Sequence, residues 1–134
     1  ACMSPPSPGA IDSMRQLADG RRLLQFGEGD VIVRAGETGD TVYGVLEGSV
    51  KLSWGDDSQC EILGPGSCFG VGALVDPEHL RYGTATAATA TKLLHMNREQ
   101  FLFAMQELPM FGLEMLLDLD ERLRQLKTRG VGSG

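Results

Sequence analysis

Between Gly20 and Gly83, glycine-bearing breaks recur every few residues, and the segments between them are short, apolar and rich in β-branched side chains. Arg21–Phe26, Asp30–Arg34, Thr41–Leu46, Ser49–Trp54 and Gln59–Leu63 are such segments. They are separated by Gly27-Glu28-Gly29, Gly36 to Asp40, Glu47-Gly48, Gly55-Asp56-Asp57 and Gly64-Pro65-Gly66. Each break supplies glycine where a tight turn calls for positive φ. Segments this short leave no room for a helix, and strands this close in sequence favour antiparallel pairing. A further strand pair is expected at Tyr82–Ala90 and Lys92–Met96. The pattern points to a β-sandwich or β-roll.

The period changes on either side. Ile11, Met14, Leu17 and Ala18 fall on one face of a short helix over residues 11–19, with Gly20 as its stop. After Met96, Asn97 with Gln100 three residues on forms a capping box ahead of Phe101, Leu102, Phe103 and Met105. Pro109 suits the first turn of a second helix. Leu116, Leu119, Leu123 and Leu126 then recur at spacings of 3, 4 and 3, a seam that serves either a dimer or the chain's own β-roll. Arg122, Arg124, Lys127 and Arg129 crowd the helix end, where the dipole favours cations. The Pro/Ser-rich stretch 1–10 reads as a disordered leader, residues 11–129 as one domain, and 130–134 as a flexible tail.

Composition narrows the function. With 12 Lys+Arg against 18 Asp+Glu the net charge is −6, the wrong sign for a phosphate-wrapping surface. No apolar run is long enough to span a bilayer, so no membrane association is expected. Cys2, Cys60 and Cys68 make an odd number without a CxxC pair, which argues against a disulfide framework or a cysteine-only metal site and for a reducing, cytoplasmic setting. His79 and His95 are the only imidazoles, and neither sits in a ligand motif; no metal and no catalytic residue is expected. Asp56-Asp57 reads as two solvated carboxylates in a hairpin turn. There is no GxSxG elbow, Walker loop or dinucleotide fingerprint, and the chain reads as a non-enzyme.

One segment stands out. Ile62 to Val75 reads ILGPGSCFGVGALV, and Arg81 follows six residues later. Gly70, Gly72 and Ala73 leave the backbone nearly bare. If Val71–Leu74 starts a helical turn, its free N–H groups form an anion cradle, which Arg81 closes with a guanidinium fork. On spacing alone, a tight turn beside a solvated Arg81 is the favoured reading of the same glycines.

The ordered glycines decide between these readings by resemblance. Phe26 to Asp40 (FGEGDVIVRAGETGD), Thr41 to Leu52 and Leu63 to Gly70 (LGPGSCFG) resemble the cyclic nucleotide-binding domain of catabolite activator and Fnr-type regulators, cAMP-dependent kinase regulatory subunits and gated channels. The likeness runs over about residues 11–128. It implies a mainly β fold, an eight-stranded antiparallel, jelly-roll-like β-roll with a short N-terminal helix and C-terminal helices, and no cofactor beyond a cAMP or cGMP ligand. The family cassette reads Gly-Glu-x-Ala/Gly-Leu, then a spacer, then Arg-Ser/Thr-Ala. Here Gly70, Gly72, Ala73, Leu74 and Arg81 match it, while Val71 stands for the ribose-binding Glu and Tyr82 for the hydroxyl residue. The resemblance thus implies a phosphate site at Gly70, Val71, Gly72, Ala73, Leu74, Arg81 and Tyr82 with its sugar half altered. It also implies that Glu114, Asp118, Glu121 and Arg122 are the polar candidates on the reading helix, most of them its wet face. No helix-turn-helix pattern follows, so this chain is not expected to read nucleic acid. Two functions stay open: a regulatory sensor of a cyclic nucleotide or related phosphate ligand, and a degenerate module acting as a homodimer or on an effector protein through the last helix.

Overall fold

The computed structural model describes residues 11–56 and 58–133, with side chains from 12 to 128. The expected leader at 1–10 and Asp57 lie outside the described residues, and the tail at 130–134 lies outside the described side chains.

A helix, α1 (Ile11–Ala18), precedes β1 (Leu24–Phe26), β2 (Val31–Val33), β3 (Val42–Glu47), β4 (Val50–Trp54), β5 (Gln59–Leu63) and β6 (Cys68–Phe69). A one-turn helix, α2 (Val71–Val75), interrupts the β region before β7 (Thr84–Ala87) and β8 (Thr91–Met96). Two helices close the described chain, α3 (Arg98–Glu107) and α4 (Pro109–Ser133). The eight strands form two four-stranded antiparallel sheets, ordered β1-β8-β3-β6 and β2-β7-β4-β5. Among the described strands, β4 and β5 are the one pair consecutive in sequence that hydrogen-bond to each other, joined through the turn that holds the exposed Asp56. The rest pair at long range, β1 and β3 with β8 and β2 with β7, which rolls the chain into the jelly-roll arrangement. The two-residue β6 has no signal of its own in the sequence and exists because it pairs with Tyr43 and Gly44 of β3.

β3 is buried on both faces, and this explains its unbroken apolar run. Val45 faces Val50, Leu63, Phe69, Ala85 and Leu93 between the sheets. Val42 and Leu46 face the helices with Met14, Leu94, Met96, Phe101, Ala104, Phe111 and Met115. The capping box forms as its residues predict: Asn97 Oδ1 accepts from Gln100 N at 2.8 Å, and Gln100 Oε1 accepts from Asn97 N at 2.9 Å. The leucine row divides its service. Leu119 packs on the helix-side core, whereas Leu116 and Leu123 are exposed. No helix among the described residues is long and apolar enough to cross a membrane. Cys68 is a buried free thiol, but Cys60 is disulfide-bonded, contrary to the expectation of reduced cysteines.

Phe111 is fully buried and meets Phe101 edge-on, ring centroids 6.4 Å apart. Phe111→Ala should therefore cost about 3–5 kcal/mol by urea unfolding, from lost transfer energy and the cavity left behind.

Candidate ligand-binding site

The site begins where β6 runs into α2. Gly70 caps α2 at φ 90°, and a Cβ there would lie 2.7 Å from Arg81 Nη1 and 2.8 Å from Thr41 O, so no side chain fits. The first-turn N–H groups of α2 lack intrahelical acceptors, as at any helix start. Beyond α2 the spacer is wound tight. Asp76 N donates to Gly72 O, and Asp76 Oδ2 accepts from Glu78 N at 3.0 Å and Leu80 N at 3.1 Å. His79, at φ 56°, turns its ring back so that Nδ1–H donates to Ala73 O at 2.8 Å. His79 is thus a structural tie for the cassette that its sequence neighbourhood did not announce.

This winding delivers Arg81, only 7% exposed, beneath the cassette. Its Nη1 donates to Gly70 O at 3.2 Å and its Nη2 to Thr41 O at 3.0 Å. Its guanidinium lies 5.8 Å from the centroid of the Tyr43 ring, which is stacked on Phe69. Its own backbone is held by Glu37 O and Gly36 N, both at 2.8 Å. Gly39 is required here by close approach and not by turn geometry: a Cβ would fall 2.7 Å from Arg81 Nη2. Among the described residues no carboxylate forms an ion pair with Arg81. A buried guanidinium held only by carbonyls has donors to spare.

Arg81 lines a cavity of about 420 Å³ together with Gly70, Gly72, Ala73 and Tyr82. The fold brings these five predicted residues together. Val71 packs toward the helix-side core and Leu74 is buried in it, so neither side chain forms part of the cavity wall. Tyr82 stands at the rim, 81% exposed. The far wall comes from residues the motif does not contain: Val33, Leu52, Trp54, Glu61 and Phe69 of the sheets, and Leu126 of α4. Alternation along β4 put Leu52 and Trp54 on one face, but nothing local showed that this face bounds a cavity.

Residues 23–107 match the family model of the cyclic nucleotide-binding domain. The chain belongs to that family. It is 34% identical over 109 residues to the cyclic AMP receptor protein of Thermus thermophilus, covering 78% of this chain and 49% of that one. It is 35% identical over 92 residues to the cAMP-dependent protein kinase regulatory subunit of Dictyostelium discoideum, covering 63% of this chain and 28% of the subunit. The crystal structure of the Thermus thermophilus catabolite activator protein superposes with a TM-score of 0.67 at 28% identity, over 90% of this chain and 58% of that one. The chain thus spans about half the length, or less, of these curated relatives.

In this cyclic nucleotide-binding domain the last helix is fastened to the roll by charge. Arg122 and Asp118, expected on the wet face of α4, are buried instead. Arg122 Nε donates to Glu61 Oε1 at 2.8 Å, and its Nη1 donates to Cys68 O at 2.7 Å and Asp118 Oδ2 at 3.1 Å. Ser67 Oγ donates to Asp118 Oδ1 at 2.9 Å. The expectation failed because i, i+4 charges on a helix look the same whether they face water or a sheet edge carrying its own carboxylate and carbonyl. Glu114 is tied as well, accepting from Ser13 Oγ of α1 at 2.7 Å, and Glu121 is half-buried. Burial works against the Arg122 charge, but Glu61 and Asp118 more than offset it and hold its pKa above the ordinary arginine value.

Arg122→Met should destabilise the fold by about 3–5 kcal/mol in urea titration, since it leaves Asp118 as a buried, unpaired charge. Cys68 lies in the same network. Burial, reinforced by Asp118 and opposed by Arg122, pushes its thiol up to about 12. The thiol therefore stays protonated at pH 8, and iodoacetamide should label Cys68 only after denaturation, as read by peptide mass.

Proposed function

We propose that this chain is a non-catalytic regulatory sensor that binds a cyclic nucleotide, cAMP or cGMP, with the phosphate held by Arg81 and the N–H groups at the start of α2. The observation that carries this reading is the buried Arg81 guanidinium, without a carboxylate partner among the described residues, in the wall of a cavity of about 420 Å³. A bound phosphate would supply the missing counter-charge through a bidentate fork. Membership of the family supports the ligand class, and the names of the relatives, a receptor and a kinase regulatory subunit, support a regulatory and non-catalytic role. Tyr82 at the rim would cover the sugar or base. Since Leu126 of α4 borders the same cavity, an occupied site would change how α4 is held and what it presents to a partner.

A second reading has its own observation. Met110, Leu113, Leu116, Leu117 and Leu123 are all about half exposed on α4, an apolar surface suited to a second copy or an effector protein. With Val71 where the family places its ribose-binding Glu, a module that docks without binding nucleotide would keep this surface and leave the cavity unused.

Isothermal titration of cAMP and cGMP separates the two. Saturable one-to-one heat is expected, weakened about a hundredfold or more by Arg81→Ala and less by Arg81→Lys, which keeps the charge but not the fork. Thermal melts of both variants report any loss of fold. Flat traces with both nucleotides, or unchanged affinity in Arg81→Ala, would favour the docking module.

A further inference from the structure

Among the described residues Glu61 is the one acidic residue in the cavity wall, and its side chain is only 12% exposed. One oxygen, Oε1, accepts from Arg122 Nε at 2.8 Å. Among the described residues Oε2 has no hydrogen-bond partner, and a largely buried acceptor left unpaired calls for an explanation. Arg122 also fixes where the carboxylate sits, since the same guanidinium is locked to Cys68 O and Asp118. Glu61 lies directly across from Leu52 on β4, and Trp54 on the same strand supplies a flat aromatic wall to the same cavity.

Two guanidinium groups are anchored beside this cavity. Arg81 binds Gly70 O and Arg122 binds Cys68 O, carbonyls two residues apart where β6 runs into α2. Arg81 and Glu61 thus stand at two separately anchored places on the wall of one cavity, a positive one and a negative one.

We infer that Glu61 reads the base of the bound nucleotide and selects guanine. The inference rests on the cyclic-nucleotide reading above. An ionised carboxylate only accepts hydrogen bonds. Guanine offers it two adjacent donors, N1–H and the 2-amino group. Adenine places an acceptor, N1, beside its single amino donor, so one carboxylate oxygen would face a lone pair. Val71 leaves the ribose without the family's usual acidic contact, which puts more of the discrimination on the base.

Calorimetry of the full chain with cGMP, inosine 3′,5′-cyclic monophosphate and cAMP tests this. The inosine analogue keeps N1–H and lacks the 2-amino group. Affinity should fall in that order, with cGMP about ten- to hundredfold tighter than cAMP. Glu61→Gln should erase that margin while changing cAMP affinity less than about threefold. Equal binding of cGMP and cAMP, a preference for cAMP, or equal weakening of both nucleotides in Glu61→Gln would overturn the assignment while leaving the nucleotide site standing. No heat with any of the three would overturn the nucleotide reading and this assignment with it. The wild-type ranking is decisive alone, so a poorly folded variant does not shelter the inference.

Discussion

A guanidinium buried, among the described residues, without a carboxylate partner is the constraint around which the cavity side of this domain is arranged. Arg81 reaches the two carbonyls Gly70 O and Thr41 O, and both its flanks are cleared by glycine, at 39 and at 70. Its backbone is stitched to the turn at residues 36–37, and the spacer before it is wound by Asp76 and His79. One side chain thereby fixes the relation between the first turn, β3, the cassette helix and the return to β7. Carbonyl dipoles alone do not neutralise a buried charge, which sets this guanidinium apart from one paired with carboxylates.

The second buried guanidinium works in the opposite way. Arg122 is fully matched, by Glu61, Asp118 and Cys68 O. Its task is mechanical: it fastens α4 to β5 and to the strand that leads into the cassette. Glu61 belongs to both this fastening and the cavity wall, which joins the cavity directly to the helix. The cavity wall and the ion pair that docks α4 therefore share one carboxylate, with no distant relay between them.

Most of the exposed apolar surface lies on the outer side of the helices, away from these ties. Leu116 and Leu123 face solvent, whereas Leu119 packs inward and Leu126 reaches the cavity. A single leucine row therefore serves core, site and surface at once, which its even spacing conceals. Its members stand on two lines around the helix, because steps of three and four residues alternately fall short of and overshoot a turn of 3.6.

Local chemistry alone determined the strand segments, the capping box at Asn97 and Gln100, the break at Pro109 and the glycine-lined approach to Arg81. Each rests on near neighbours in the chain: turn conformations, alternation along a strand and side chains reaching three residues along. The resemblance of the ordered glycines then supplied the family. Only the tertiary structure decided which strands pair, since β1, β2 and β3 meet partners dozens of residues away whose register depends on two faces being buried together. It alone turned Val71 and Leu74 toward the core, drew Trp54 and Glu61 into the cavity wall, and buried Asp118 and Arg122. A charged pair on a helix carries no mark of what it will face; Arg122 became an anchor because the fold brought Glu61 and a bare carbonyl opposite it, where partnered charge is tolerated and unpartnered charge is not.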